Sequence, residues 1–342
     1  MEVLPNLSIV AARSIEDVIK ARSDFPDSRL LGGGTDLVVN VRRGIVGPAV
    51  LIDVNRVDAM RKITLGKQGL EVGASVTLTQ LASHPDVMRE FPAIAQAAGS
   101  IAGPTHRNMG TVGGNLCLDT RCIFYNQSEW WRGAVNHCLK TTGTICHVAP
   151  KSRGVCFATF SGDLAPAFLI FGGEAEIAGP EGRRALPLEK LYIGFARQDQ
   201  PVSEKLGDGR HYLALRPGEF IVSVRAKTTP QLRSGYDKIR IRRSIEYPVA
   251  GVAVALRREG NILADLRAAF TATNPRPVLL AGTESLCERS IDNEWFGALD
   301  ALVRDQVMSM KTTFTPGHYR RRMAGALVRR LVAHLFGDSR QA

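Results

Sequence analysis

Four cysteines fall close together. Cys122, Cys138, Cys146 and Cys156 lie within 35 residues, separated by 15, 7 and 9 intervening positions. Grouped thiolates hold zinc or an iron–sulfur cluster. Zinc sites usually present tight Cys-x-x-Cys pairs, and this segment has none. On spacing alone the group admits a four-iron cluster, zinc, or no metal. A disulfide framework is disfavoured. Met1-Glu2-Val3-Leu4-Pro5 has neither the basic flank nor the apolar core of a signal peptide, so the chain reads as cytoplasmic. Cys117 and Cys287 stand apart, and Cys117 reads as a small buried residue.

Two glycine-rich segments offer a different chemistry. In Leu30-Leu31-Gly32-Gly33-Gly34-Thr35-Asp36-Leu37, three glycines follow a short strand. Without a Cβ, and with positive φ allowed, such backbone presents N–H groups to an anion. A pyrophosphate is a natural guest, and a plain tight turn is the competing reading. The spacing is not that of the Rossmann fingerprint, which leaves Asp53 little weight as an acidic partner, and no Gly-Lys-Ser/Thr follows as in a P-loop. The second segment, Gly103 to Leu116, holds Gly110-Thr111-Val112-Gly113-Gly114-Asn115. Thr111 and Asn115 can donate to phosphate or ribitol oxygens. His106 reads as a structural hydrogen-bonder. Two such loops suit a dinucleotide gripped between two lobes.

The elements around them read as three lobes. Residues 1–55 run strand, helix, strand, loop, helix, strand, with Ser14 to Arg22 a capped helix and Asp17 at its capping-box position. Residues 56–226 form a second lobe, in which Lys62 to Ala74 alternates and turns at Gly66 and Gly69 as a hairpin. Pro92 opens a helix over Ala93 to Gly99, and Gly103 to Asn115 reads as a loop. Residues 118–157 look inserted, with Tyr125, Trp130 and Trp131 among the cysteines. Gln198 to Arg210 reads as a polar surface loop. Residues 227–342 form the third lobe, starting near Pro230. Val249 to Leu256 and Ile262 to Ala272 are expected as strands, and Trp295 to Met310 and Tyr319 to Phe336 as helices, with Gly337 as a stop.

The bulk composition excludes several classes. The net charge of +11 invites nucleic acid, but aromatics are only 6% and do not interleave with the basic residues. The densest basic cluster, Arg320, Arg321, Arg322, Arg329 and Arg330, alternates with apolar residues at helical spacing and reads as a solvated helix face, with a docking face for an acidic protein partner as the competing reading. No apolar run approaches the roughly 18 to 20 residues of a membrane span.

The two glycine segments, in this order, resemble the two FAD motifs of the flavin subunits of the xanthine oxidase and carbon monoxide dehydrogenase family. Ser161-Gly162-Asp163-Leu164-Ala165-Pro166-Ala167, Leu215 to Ile221, Lys238 to Arg243 and Tyr319-Arg320-Arg321 resemble later segments of that family, so the resemblance spans nearly the whole chain. It implies an α+β fold: a two-lobed FAD-binding domain of the xanthine oxidase flavin-subunit type plus a C-terminal α+β domain. It also implies FAD between the first two lobes. Arg29, Leu30, Leu31, Gly32, Gly33, Gly34, Thr35 and Asp36 would line the pyrophosphate side, with Ile101 facing the flavin ring. Thr111, Gly114, Asn115 and Asp163 would bond to FAD, and Ile221 and Lys238 would lie near the isoalloxazine.

About 40 residues separate the second motif from the Gly-Asp-Leu segment, where most of the family has a short connection. This insertion, from Asn115-Leu116-Cys117-Leu118-Asp119-Thr120-Arg121-Cys122, is similar to that of the 4-hydroxybenzoyl-CoA reductase branch. The resemblance implies Cys122, Cys138, Cys146 and Cys156 as ligands of a [4Fe–4S] cluster. It implies partners as well: a molybdopterin catalytic subunit and a small [2Fe–2S] subunit in a dimer of heterotrimers, with ferredoxin as electron donor. No residue of this chain is then expected to touch the aromatic substrate.

Overall fold

The computed structural model describes residues 5–194, 207–229, 231–242 and 245–337. Residues 198–206 of the polar loop expected at Gln198 to Arg210, together with Pro230 and Arg243, lie outside the described residues.

The chain builds three sheets. The first is parallel: β1 (Ser8–Ala11), β2 (Arg29–Leu31) and β3 (Val50–Asp53) lie in the order β1-β3-β2. The helix Ile15–Asp24 links β1 to β2. Ser14 caps it, and Asp17 returns the bond to the Ser14 backbone, completing a capping box. The second sheet is antiparallel: β4 (Ile63–Gly66), β5 (Gly69–Gly73), β6 (Glu174–Gly179), β7 (Gly182–Pro187) and β8 (Phe220–Lys227), in the order β4-β5-β8-β6-β7. The expected hairpin is β4–β5. The third sheet, also antiparallel, holds β9 (Arg233–Ile239), β10 (Ala250–Glu259), β11 (Ile262–Thr271) and β12 (Val278–Leu279), in the order β12-β11-β10-β9.

The middle of the third sheet is buried on both faces, which explains why β10 reads as an unbroken apolar run from Ala250 to Leu256. Side chains alternate across a strand. On β10, Ala253 and Ala255 enter the core shared with the second sheet, where Phe160, Phe168 and Val224 are also fully buried. Val252, Val254 and Leu256 point the other way, into a core closed by Trp295, Leu299, Leu327 and Val328. Small residues on one face let the sheet lie close to the flavin lobes. Large ones on the other receive the helices Asn293–Gln306 and Gly317–Phe336.

Several expectations are corrected. Gly103 to Asn115 is not a plain loop but two short helices, Pro104–Met109 and Val112–Leu116. Pro104 sits where a missing N–H costs nothing, and Thr111 caps the second through the Gly114 N–H. The helix expected to reach Met310 ends at Gln306, because Val307 turns extended and the Met308 N–H is taken by Asn274 Oδ1. The basic cluster is not a uniform solvated face. Arg320 is fully buried, donating to the carbonyls of Val249 (3.0 Å), Met310 (3.2 Å) and Ala272 and to Thr312 Oγ1 (2.7 Å). Burial pushes its pKa down to about 10, which leaves it charged at neutral pH.

Candidate functional site

The two glycine segments meet back to back. A Cβ on Gly33 would stand 1.8 Å from the Met109 carbonyl oxygen, and one on Gly32 would stand 2.7 Å from Thr111 Oγ1. Glycine is therefore demanded at Gly33 by the second segment's backbone. This packing demand is separate from the ligand approach that the sequence suggests for the same glycine. Gly34 takes φ +69°, the left-handed region that disfavours a side chain. Asn55 Nδ2 holds the Gly32 carbonyl at 3.0 Å and is itself fixed by Asp53. Among the described residues, the N–H groups of Gly33, Gly34 and Thr35 find no acceptor. A run of free N–H groups beside a glycine turn, half-buried at Gly33 and Gly34 and exposed at Thr35, can serve as an anion cradle.

The remaining expected FAD contacts are spread around this junction. Asn115 is buried, and its Oδ1 accepts from the Leu164 N–H at 2.9 Å. Asp163 is buried too. Its Oδ1 accepts from Tyr236 Oη (2.5 Å) and from Lys238 Nζ (2.8 Å), so β9 is tied to the Gly-Asp-Leu segment. Gly251, opposite on β10, leaves space for the Tyr236 ring. Ile101 is half-buried at the end of the helix Pro92–Ser100, and Arg107 donates to its carbonyl. Ile221 lies within the shared core. Lys238, Asp163 and Asn115 thus belong to one connected region, and Ile221 packs into the sheet behind it.

The four clustered cysteines come together. Cys122, Cys138, Cys146 and Cys156 are all buried, none is in a disulfide, and all four line one cavity with Phe124, Tyr125, Lys140 and His147. The cavity between them is small, about 10 Å³. Burial pushes the Cys122 thiol up to about 11 and the Cys156 thiol up to about 12, so neither is a nucleophile as it stands. The Ala158 N–H points at Cys156 Sγ at 3.5 Å, and Thr141 Oγ1 lies 4.0 Å from Cys138 Sγ. Among the described residues, no three His, Cys, Asp or Glu side chains are spaced for a single metal ion. Four buried thiols outside any disulfide, lining one cavity, are a donor set of the kind that either zinc or an iron–sulfur cluster takes.

Side chains that no local pattern marks hold this cage. Lys140 Nζ donates to Asp119 Oδ1 (2.8 Å), Thr120 Oγ1 (2.7 Å) and the Gly209 carbonyl (2.7 Å), and lies 5.1 Å from the Tyr125 ring centre. Arg132 is buried and clamps the insertion to the Gly44 carbonyl at 2.9 Å. Trp130 is 81% exposed and shields nothing, whereas Tyr125 does line the cavity.

Arg121, directly before Cys122, joins the two regions. Its Nη2 donates to Asp36 Oδ2, in the first glycine segment, at 2.7 Å, and its guanidinium lies 5.7 Å from the Tyr125 ring centre. Tyr247 Oη and Asn40 Nδ2 also donate to Asp36. Burial opposes the charge on Arg121, but the carboxylates of Asp36 and Asp119 more than offset it, and its pKa is raised. The sequence reading missed Arg121 and Lys140. Their only local signal was a position one or two residues from a clustered cysteine.

A parallel lobe and an antiparallel lobe, joined at two interlocked glycine segments with a free N–H cradle, define a dinucleotide-binding protein. The chain belongs to the family of FAD-binding domains of molybdopterin dehydrogenases, which matches residues 5–226, and residues 235–335 match the CO dehydrogenase flavoprotein C-terminal domain. It is thus a FAD-binding subunit of the xanthine oxidase and CO dehydrogenase type. It is 30% identical over 245 residues to the aldehyde oxidoreductase FAD-binding subunit PaoB of Escherichia coli, covering 69% of this chain and 73% of that one. It is 26% identical to the carbon monoxide dehydrogenase medium chain of Hydrogenophaga pseudoflava, covering 82% and 79%. The solved Cu,Mo-CO dehydrogenase superposes with a TM-score of 0.77 at 20% identity over 98% of this chain and 99% of that one, which shows a shared fold. No helix among the described residues is long and apolar enough to cross a membrane.

Proposed function

We propose that this chain is the electron-relay subunit of a 4-hydroxybenzoyl-CoA reductase-type molybdenum enzyme, carrying a [4Fe–4S] cluster on Cys122, Cys138, Cys146 and Cys156 beside its FAD. The convergence of all four buried thiols on one cavity next to the flavin-binding segments carries this reading. When bound, the cluster supplies one-electron transfer, and FAD supplies exchange between one- and two-electron carriers. The chain's own residues bind and space these groups. Free N–H groups of Gly33, Gly34 and Thr35 cradle the pyrophosphate. The Thr111 hydroxyl and Asn115 amide offer further donors. Asp163, held by Tyr236 and Lys238, fixes the wall opposite. Buried thiolates hold the iron, and the Ala158 N–H and Thr141 hydroxyl lie against the sulfurs, the kind of contact that tunes potential.

In this reading a ferredoxin is the electron donor. A molybdopterin catalytic subunit and a small [2Fe–2S] subunit complete a dimer of heterotrimers. The substrate is 4-hydroxybenzoyl-CoA, bound by another chain and reduced to benzoyl-CoA. A second reading is favoured by the names of the relatives, which include a xanthine dehydrogenase and an aldehyde oxidoreductase subunit: FAD passing electrons outward in a dehydrogenase.

Iron and acid-labile sulfide per chain, with electron paramagnetic resonance of the dithionite-reduced purified complex, test the first reading. About four irons per chain beyond those of the small subunit, with a reduced-cluster signal, are expected. Zinc, or no metal, in a flavin-replete preparation would overturn it in favour of the second.

A further inference from the structure

Arg121 carries a group that the fold leaves incomplete. Only 9% of the residue is exposed, and its Nη1 is buried with no hydrogen-bond partner among the described residues. Nη2 is taken by Asp36 at 2.7 Å. A buried guanidinium donor without an acceptor is costly, and an orphan of this kind calls for a ligand. A second, independent set of unpaired donors lies in the same segment, the N–H groups of Gly33, Gly34 and Thr35. Arg121 is held rigidly. Its N–H and carbonyl exchange bonds with Thr159, both at 2.8 Å, and its guanidinium leans on Tyr125. Asp36, fixed by Tyr247 and Asn40 as well, holds one arm of the fork and leaves the other free.

We propose that Arg121, the residue preceding the cysteine cage, is a FAD-binding residue whose Nη1 donates to a phosphate oxygen of the dinucleotide in the glycine segment. The proposal rests on FAD binding at that segment. The guanidinium fork suits the site: one arm pairs with a carboxylate and the other meets a phosphate oxygen, which a lysine ammonium does not reproduce in one geometry. Arg121 lies near the start of the insertion, directly before Cys122, so it places a phosphate contact and the first cysteine of the cage on adjacent residues.

The test is FAD titration of the deflavinated protein for wild type, Arg121→Met, Asp36→Asn and the double variant, with ADP as a second probe that carries the pyrophosphate without the flavin ring. Arg121→Met should weaken FAD by about tenfold or more, as expected for a lost charge-assisted bond, and ADP by a similar factor. The double variant should stay weak, because neutralising Asp36 does not replace the phosphate contact. Wild-type affinity in the double variant would mean that Arg121 acts only by balancing Asp36, and would overturn the proposal. Unchanged ADP binding in Arg121→Met would overturn it too. Arg121→Lys keeps a charge beside Asp36 and serves if Arg121→Met does not fold. Its FAD affinity should still fall, and a wild-type value would refute the contact. A wild-type protein that takes up neither FAD nor ADP would instead remove the flavin-site reading on which the proposal stands.

Discussion

The glycine junction and the cysteine insertion lie side by side, yet they are held by different means. The junction is closed by backbone. Gly33 sits on the Met109 carbonyl, Gly113 leaves no free space for a Cβ beside Ala74, and the Val112 and Gly113 N–H groups bond to the Val76 and Ala74 carbonyls. The insertion is closed by side chains. Arg132 reaches Gly44, Lys140 reaches Gly209, and Asp208 accepts from the Cys156 N–H at 3.0 Å around a small core. Backbone closure rejects added atoms, whereas side-chain closure fails when a polar group is removed. The two regions should therefore break under opposite kinds of substitution.

The largest expected effect separates their cargoes. Cys138→Ser should abolish the extra iron of the proposed cluster while flavin per chain stays at the wild-type level, both read on the purified complex. Joint loss of iron and flavin would show that the two regions do not fold apart. Next, Gly33→Ala adds one methyl at a 1.8 Å approach. It should lower the unfolding free energy by about 2–3 kcal/mol, as overpacking does. Flavin content should fall with it and cysteine-bound iron should stay. Denaturant melts with flavin and iron analysis check this. A smaller effect is expected from Arg132→Met, which leaves the Gly44 carbonyl without its donor. About 1–3 kcal/mol of local stability should be lost, seen as faster amide hydrogen exchange in residues 122–158 and unchanged exchange in β4 and β5. The smallest is Trp130→Ala. An 81% exposed ring is expected to contribute within about 0.5 kcal/mol, and a melt that shifts by more would mean that the insertion packs differently.

The same contrast sorts what the sequence made legible. Local chemistry could be read: the capping box at Ser14, the hairpin at Gly66 and Gly69, the apolar strands of the third sheet, and the four cysteines as one group. Long-range partners could not. Asp36 and Arg121 are 85 positions apart, and Lys140 meets Gly209 from 69 positions away. Nothing near either residue announces its partner. The glycine at Gly33 is legible, but the Met109 carbonyl that also demands it lies in a distant segment. Arg320 shares helical spacing with a run of arginines, which on sequence reads as solvent-facing. Its burial depends on carbonyls of Val249, Ala272 and Met310, which converge only once the third sheet and its helices are in place. The residues that hold the candidate site together are mostly of this second kind.

The paired bonds between Arg121 and Thr159 have a consequence for how such a chain is assembled and altered. They put the entrance and the exit of the cysteine segment in contact. An excursion whose ends already touch can grow or shrink at little entropic cost to its host, because the closing contact is formed whatever the length between. A change in the length of the segment would then fall beyond this pair, on residues 122–158, and would be felt by the lobes through the contacts of Arg132 with Gly44 and of Lys140 with Gly209.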